Sequence, residues 1–413
     1  MLQCDSSTPV VVLPGARQGG LGIVRSLGRL GIPVYMIDPD PAAPALHTRY
    51  CRGKFVHNFE KDSAAAAIAF LGSVRKQLGR KAILIPTSDT LAMFVDEHAA
   101  TLREWFLFPE RPEGLARSLS SKKEMYLLAC RHGVPTAATA FPQSRREVIE
   151  YLERARFPLV LKAIYGARIK FRAGQPVQIV RSASELLKRY DALEDPSEPN
   201  LMLQEYIPGG EDSIWMFNGY FDSASECVVG FTGKKLRQCP AYTGQTSLGI
   251  CLRNEQVART TCDLMRAVGY RGIIDLGYRY DARDGQYKIL DVNPRIGATF
   301  RLFVGDNGMD VARALYLDLT GQPIEAAPAR EGRKWIVEDS DLVSSIRYHR
   351  DGRLTLGGWL RSLRGIQECA LWASDDPLPL AWVLQADARQ ALSRIKNRLV
   401  RRRTRRQFNY AKS

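Results

Sequence analysis

The segment 272–297, GIIDLGYRYDARDGQYKILDVNPRIG, limits what this chain can fold into more than any other. Two runs rich in β-branched and aromatic residues flank DARDG, whose Asp-Gly pair signals a hairpin turn. The predicted hairpin carries Asp275 on one strand and Asp291 on the other, facing each other across the ladder, with Asn293 and Arg295 where the second strand ends. Buried polar groups are costly unless they find partners. A surface turn would solvate these groups, and an anionic ligand with its metal would partner them. These residues alone leave both readings open. Two carboxylates and an amide gathered in one place need a cation, and Mg²⁺ takes oxygen ligands and shares them with phosphates. Asp275, Asp291 and Asn293 are therefore candidate metal ligands.

Upstream, Val10-Val11-Val12-Leu13 is the continuous apolar run of a buried parallel strand. It leads into the glycine-rich turn PGARQGG, a helical pattern and a second strand in IPVYMIDPD. With the strand at 81–86 and the helical TSDTLAMFVDEHAATL, this predicts a doubly wound α/β domain over 1–115. The turn departs from G-x-G-x-x-G, so tight strand-to-helix packing explains its glycines better than a dinucleotide site does. SLSSKKEMYLLACRHG at 118–133 predicts one helix with a Ser cap and a Gly stop. Strands follow at 157–163, which includes Lys162, and at 201–207, which ends in PGGED. SIWMFNGYF and ECVVGFTGKKLRQ read as a meander. A lone strand lysine is commonly a snorkelling surface residue, but Lys162 is also suited to meet phosphate oxygens as a point charge.

The 413 residues, 45% hydrophobic, suffice for two or three packed domains. Eight scattered cysteines without a C-x-x-C pair predict reduced thiols, and five histidines without ligand spacing argue against zinc. The first apolar run is short, ends in Pro-Gly and lacks a basic leader, so it reads as a strand, not a signal peptide. No stretch approaches the ~18 apolar residues of a membrane span. A cytoplasmic protein is expected. The net charge of +15 is largely local, because residues 388–413 carry ten Lys/Arg and no acid. Ala388, Leu392, Ile395 and Leu399 fall at helical spacing there. This tail is either a solvated, frayed helix or an element lying on an anionic membrane surface or an acidic partner. Nucleic acid is not expected, since no stacking platform or reading motif accompanies the charge.

Taken in order, the strand lysine of FPLVLKA, the segment LMLQEYIPGGED and the hairpin ending in DVNPRIG resemble the ATP-grasp superfamily over residues 1 to about 325, in particular its carboxylate–amine ligase branch. The resemblance implies an α/β (α+β ATP-grasp) architecture. A doubly wound domain at 1–115 would be followed by a first lobe at 116–200 and a second lobe with the Mg–ATP site at 201–328. An accessory region at 329–386 and the basic tail at 387–413 lie beyond the core of the resemblance. By the same resemblance Lys122 or Lys123 approaches the nucleotide phosphates, and Lys162 touches the α- and β-phosphates. Gln204, Glu205, Tyr206 and Ile207 hold adenine, and Glu211 or Asp212 holds the ribose. Asp275, Asp291 and Asn293 hold Mg²⁺. Arg295 meets the transferred phosphoryl group or the substrate carboxylate, with Arg237 and Lys235 adding phosphate contacts.

The chain departs from the family pattern in two places. Asp291 stands where Glu is frequent, and YGARIKFRAG lacks a glycine-rich clamp, leaving Arg168 and Lys170 to substitute by charge. The implied reaction is ATP-dependent activation of a carboxylate as an acylphosphate, then attack by an amine to give an amide, ADP and phosphate. The expected partners are a small-molecule or polymer-linked carboxylate and an amine. A carboxylase or carbamoyl-phosphate-type enzyme, and a non-catalytic ATP-binding assembly protein, are the alternatives. A homodimer is common among such relatives.

Overall fold

The structure is a computed structural model and describes residues 4–164 and 177–385. The basic tail, Arg168 and Lys170 lie outside the described residues.

The first sheet is wholly parallel and runs β3-β2-β1-β4-β5, from β1 (Val10–Gly15), β2 (Val34–Asp38), β3 (Cys51–Val56), β4 (Ala82–Thr87) and β5 (Phe106–Leu107). Helices α1 (Arg17–Gly28), α2 (Ala64–Leu78) and α3 (Asp89–Glu97) connect these strands. The glycines after β1 serve close packing. A Cβ at Gly19 would stand 3.3 Å from the Ala298 backbone, and one at Gly22 would stand 3.0 Å from Phe300 and Arg301. Helix α1 therefore presses onto the loop that follows the hairpin.

The segment read as one helix over 118–133 is two, α4 (Leu115–Ser120) and α5 (Lys122–Arg131). Ser121 breaks them by capping α5, its hydroxyl accepting from the Glu124 N–H. A four-stranded antiparallel sheet follows in the order β6-β9-β7-β8, from β6 (Thr139–Ala140), β7 (Leu159–Ala163), β8 (Val177–Val180) and β9 (Leu201–Glu205). Helices α6 (Arg145–Leu152) and α7 (Ala183–Leu193) cover it.

The expected division at 116–200 and 201–328 is redrawn at both ends. Strand β9 completes the small lobe's sheet, because its alternate residues Leu201 and Leu203 are needed to close that core. Helices α4 and α5 instead bury Leu115, Leu119, Met125 and Ala129 against the large lobe.

The large lobe is a seven-stranded sheet in the order β14-β13-β10-β11-β12-β15-β16. Its strands are β10 (Ile214–Phe221), β11 (Cys227–Cys239), β12 (Gln245–Cys251), β13 (Gly272–Asp281), β14 (Gln286–Asn293), β15 (Lys334–Ile336) and β16 (Ile366–Cys369). Helices α8 (Glu255–Ala267) and α9 (Val311–Leu319) pack on it. The accessory region is thus no separate body, since β15 and β16 extend this sheet. Its helix α10 (Glu338–Arg350) lies over β11 and β12, and α11 (Leu356–Ser362) is bonded to α10 through Trp359 and to β11 through Ser362. One core joins the first sheet to the large lobe, running through Val10, Leu21, Phe300, Tyr316 and Trp335.

Candidate active site

A cleft of about 800 Å³ lies between the two lobes and the first domain. The DARDG turn forms as expected, with Gly285 at φ 71° closing it. The register differs from the expected one. Asn293, not Asp291, stands opposite Asp275, and Asp291 stands opposite Gly277. Side chains two residues apart share a face, so Asp291 and Asn293 point the same way. The three groups still converge, with Asn293 Nδ2 3.5 Å from Asp275 Oδ2 and 3.4 Å from Asp291 Oδ2. The Asp275 carboxylate leans on Gly297, where a Cβ would fall 2.5 Å from its Cγ.

Charge around these acids is unevenly balanced. Burial pushes Asp275 up to about 6, against the pull of Arg295 and Lys235. Burial also raises Asp291, but Lys122, Lys162 and Arg295 together outweigh it and hold this carboxylate at about 2. Lys122, the first residue of α5, ion-pairs with Asp291 directly. Lys162 comes from β7 across the cleft, and burial with repulsion from Lys122 brings it down to about 7. Lys123 does not enter the cleft. Successive helix residues point about 100° apart, and its ammonium lies 5.8 Å above the Phe141 ring.

Arg295 is held at the opposite end. Its Nε donates to Asp89 Oδ1 at 2.8 Å, and its Nη2 donates to Asn293 Oδ1 at 3.2 Å. Asp89 is the first residue of α3 and was not singled out from the sequence, because T-S-D after a strand reads as a plain helix start. Gly15, Ala16, Thr87 and Ser88 line the same end of the cleft.

Gln204, Glu205, Tyr206 and Ile207 line the other end. The Glu205 carboxylate already accepts from the Ala138 N–H at 3.3 Å and pairs with Arg283 at 2.6 Å. The Arg279 guanidinium lies 5.7 Å over the Tyr206 ring. Glu211 and Asp212 form a short turn outside the cavity wall. Burial pushes Glu211 up to about 7, and its Oε1 is buried without a hydrogen-bond partner.

Arg237 is the clearest correction. It turns away from the cleft, between Lys235 and Gln238, which both line it. Register irregularities on either side of Arg237 rotate the strand at this point. Its Nε and Nη2 donate to the two oxygens of buried Asp341 at 2.8 Å each, and its Nη1 donates to Ser362 Oγ at 2.7 Å. A guanidinium so fully bonded and buried braces the accessory region and lies outside the cleft lining. Besides Asp89, two more groups escaped the sequence reading. The Gln238 amide lines the cleft with its Nε2 buried and unbonded. Asn218, directly across the ladder from Asp275, is fully buried and lies close enough to favour the charged carboxylate, yet makes no hydrogen bond of ordinary geometry. Neither carries a sequence signal beyond a polar residue in an apolar strand.

An antiparallel lobe and a larger antiparallel sheet closing on a strand-borne lysine and a carboxylate hairpin, all docked to a doubly wound domain, can be compared with known proteins. The chain is similar to the N5-carboxyaminoimidazole synthetase of Staphylococcus aureus complexed with ADP, with TM-score 0.62, 10% identity and coverage of 85% of this chain and 88% of that one. It has the ATP-grasp fold. The L-amino acid ligase of Bacillus licheniformis matches with TM-score 0.57, 14% identity and coverage of 78% and 76%. By sequence the chain is 24% identical over 319 residues to the D-aspartate ligase of Enterococcus faecium (strain Aus0004), covering 74% of this chain and 75% of that protein. No family model matches. The cleft thus combines the acids of β13 and β14 with lysines from both sides.

Proposed function

We propose that this chain is an ATP-dependent carboxylate–amine ligase that forms an amide through an acylphosphate and releases ADP and phosphate. The convergence of Asp275, Asp291 and Asn293 beneath Lys122 and Lys162 supports this reading most. The donor set fits Mg²⁺, being two carboxylates with an amide whose Oδ1, here taken by Arg295, is also a hard oxygen donor. Among the described residues no group of three or more His, Cys, Asp or Glu offers a rival site. Burial raises Asp275 because its charge is under-compensated, which a divalent ion at this position would correct. When bound, the ion neutralises phosphate charge.

The rest falls to the chain's own residues. Gln204, Glu205, Tyr206 and Ile207 form the end of the cleft that receives adenine. Lys162 reaches the phosphates from the small lobe, and Lys122 from the large lobe. Phosphoryl transfer is governed by positioning and charge neutralisation, and these two lysines with Arg295 supply fixed positive charge at the cleft's centre. Arg295, steadied by Asp89 and Asn293, orients the carboxylate for attack on the γ-phosphoryl group. The carboxylate oxygen bonds to phosphorus as the bond to the ADP oxygen breaks. The amine then attacks the acyl carbon, phosphate departs, and the amine's proton goes to the departing phosphate or to solvent. Closure of the small lobe excludes water from the acylphosphate.

D-aspartate is the first acid to try, since the D-aspartate ligase is a relative by sequence, and the amine is a small molecule or is carried on a polymer. The test is Mg²⁺-dependent release of ADP and phosphate across pooled acids and amines, with Asn293→Ala as control. Release that needs both an acid and an amine supports a ligase. ATP binding without release from any pool, polymer-linked substrates included, overturns that reading.

A further inference from the structure

Of the twelve large apolar side chains most exposed among the described residues, eight lie between Leu342 and Leu384. Five of them fall on the two neighbouring helices α10 and α11. Leu342, Val343 and Ile346 lie on the outer face of α10, whose inner face buries Asp341, Ser344, Ser345 and Tyr348. Leu356 and Leu360, one turn apart, are exposed on α11, which is bound to α10 where Trp359 Nε1 donates to Asp341 Oδ2 at 3.0 Å. Trp372 is tied to the first turn of α10, its N–H donating to Glu338 Oε1 at 2.7 Å. Isolated exposed apolar residues need no explanation, but a contiguous patch marks an interaction surface.

The polar residues of the patch identify its partner. Arg347, Arg350, Arg353, Arg361 and Arg364 are all exposed, and between residues 342 and 364 the sole acid is Asp351. The described chain ends at residue 385, just after exposed Leu378 and Leu384, and residues 388–413 beyond it carry ten Lys/Arg and no acid. We propose that the outer face of α10 and α11 docks on an anionic lipid surface. Apolar side chains interleaved with arginines suit the boundary between headgroups and acyl chains. Clustered basic residues add attraction to anionic lipids. A second copy of this chain fits less well, because two-fold pairing would set these arginines against each other with one acid per copy to offset them. No described helix is long and apolar enough to cross a membrane, so the contact is peripheral.

Docking would also place the cleft. Tyr242 lines it, and its N–H donates to the Tyr348 hydroxyl at 3.0 Å while its own hydroxyl donates to Asp351 at 2.9 Å. Asp351 caps the C-terminal end of α10, so the cleft wall is joined to that end of the docking helix.

The test is co-sedimentation of the full chain with vesicles of phosphatidylcholine alone and of phosphatidylcholine mixed with phosphatidylglycerol. The variants are Leu342→Ser/Val343→Ser/Ile346→Ser, Arg350→Glu/Arg353→Glu/Arg361→Glu and a chain ending at residue 387. Circular dichroism checks each fold. We expect binding to the anionic vesicles only, weakened by salt and reduced on the order of tenfold or more in each substituted chain. Absence of binding to anionic vesicles overturns the proposal, as does equal binding to both vesicle types. Binding lost on truncation but kept in both substituted chains overturns it. A full chain that elutes as a dimer, made monomeric by the triple serine variant without affinity for vesicles, assigns the patch to a second copy and overturns it too. Nucleic-acid binding lost with the same substitutions, in place of vesicle binding, does likewise. None of these outcomes depends on turnover, so they stand apart from the ligase assay.

Discussion

The two walls of the cleft are held in different ways. The small-lobe wall, which carries Lys162, rests on a core of Val148, Leu161, Val180, Leu186 and Leu203 that draws only on residues of that lobe. The opposite wall, which carries Lys122, Asp275, Asp291, Asn293 and Arg295, belongs to a sheet whose core runs on into the first domain through Phe300, Tyr316 and Leu21. Groups that must keep a fixed mutual geometry therefore sit on the continuous body. The group that need only arrive sits on a unit that can tilt without breaking its own packing. Separate cores open with separate free energies, so substitution can pull this comparison apart.

The largest effect falls on the fixed wall. Asn293→Ala is expected to lower ADP release by on the order of a hundred- to a thousandfold, with an unchanged circular dichroism spectrum, since it removes an oxygen ligand from preorganised charge. Asp291→Ala should do at least as much. Native-like Asp291→Ala protein with normal turnover would show the metal assignment to be wrong.

Next comes the brace behind that wall. Arg237→Met leaves Asp341 buried and unpaired and is expected to cost about 3–5 kcal/mol in a urea titration. Arg237→Met/Asp341→Leu should recover most of it, because the desolvated charge is gone. A double variant that is stable but inactive would return Arg237 to the reaction.

The cores themselves give the third test. Phe300→Ala is expected to destabilise the first domain and the large lobe together by about 3–5 kcal/mol. Leu203→Ala should cost about 2–5 kcal/mol, but hydrogen exchange should rise in β6 to β9 and their helices alone. Equal exchange throughout the chain in Leu203→Ala would mean that the lobes unfold as one. The smallest contrast lies between neighbours. Lys122→Ala should raise the KM for ATP about tenfold, in line with one charge-assisted contact. Lys123→Ala should stay within about twofold, as its cation–π contact with Phe141 lies outside the cleft.

Much of this was legible in the chain. The hairpin, its Asp-Gly turn and the strand lysine carry local signals, because alternation and turn chemistry are set by residues a few positions apart. Gly19 and Gly22 were readable as packing glycines, yet their partners at Ala298 and Phe300 are nearly three hundred residues away, and no local rule reaches that far. The break at Ser121 was hidden because a helix pattern on both sides outweighed one capping residue. Arg237 misled for a related reason. An arginine in a strand near a phosphate site looks functional until an acid from a distant helix is found bonded to it.

The sequence by itself determined the identity of the chemical groups and the elements that bear them. Periodicity, turn residues and apolar runs are local properties, and backbone sterics translate them directly into strands and helices. Only the tertiary structure decided which of those groups face one another. It set Asn293 opposite Asp275, gave Lys122 and not Lys123 to the cleft, paired Arg237 with Asp341, and returned β9 to the small lobe. Register, bulges and the burial of charge are settled by packing between distant segments, where an unpaired buried group costs more than any local preference can offset.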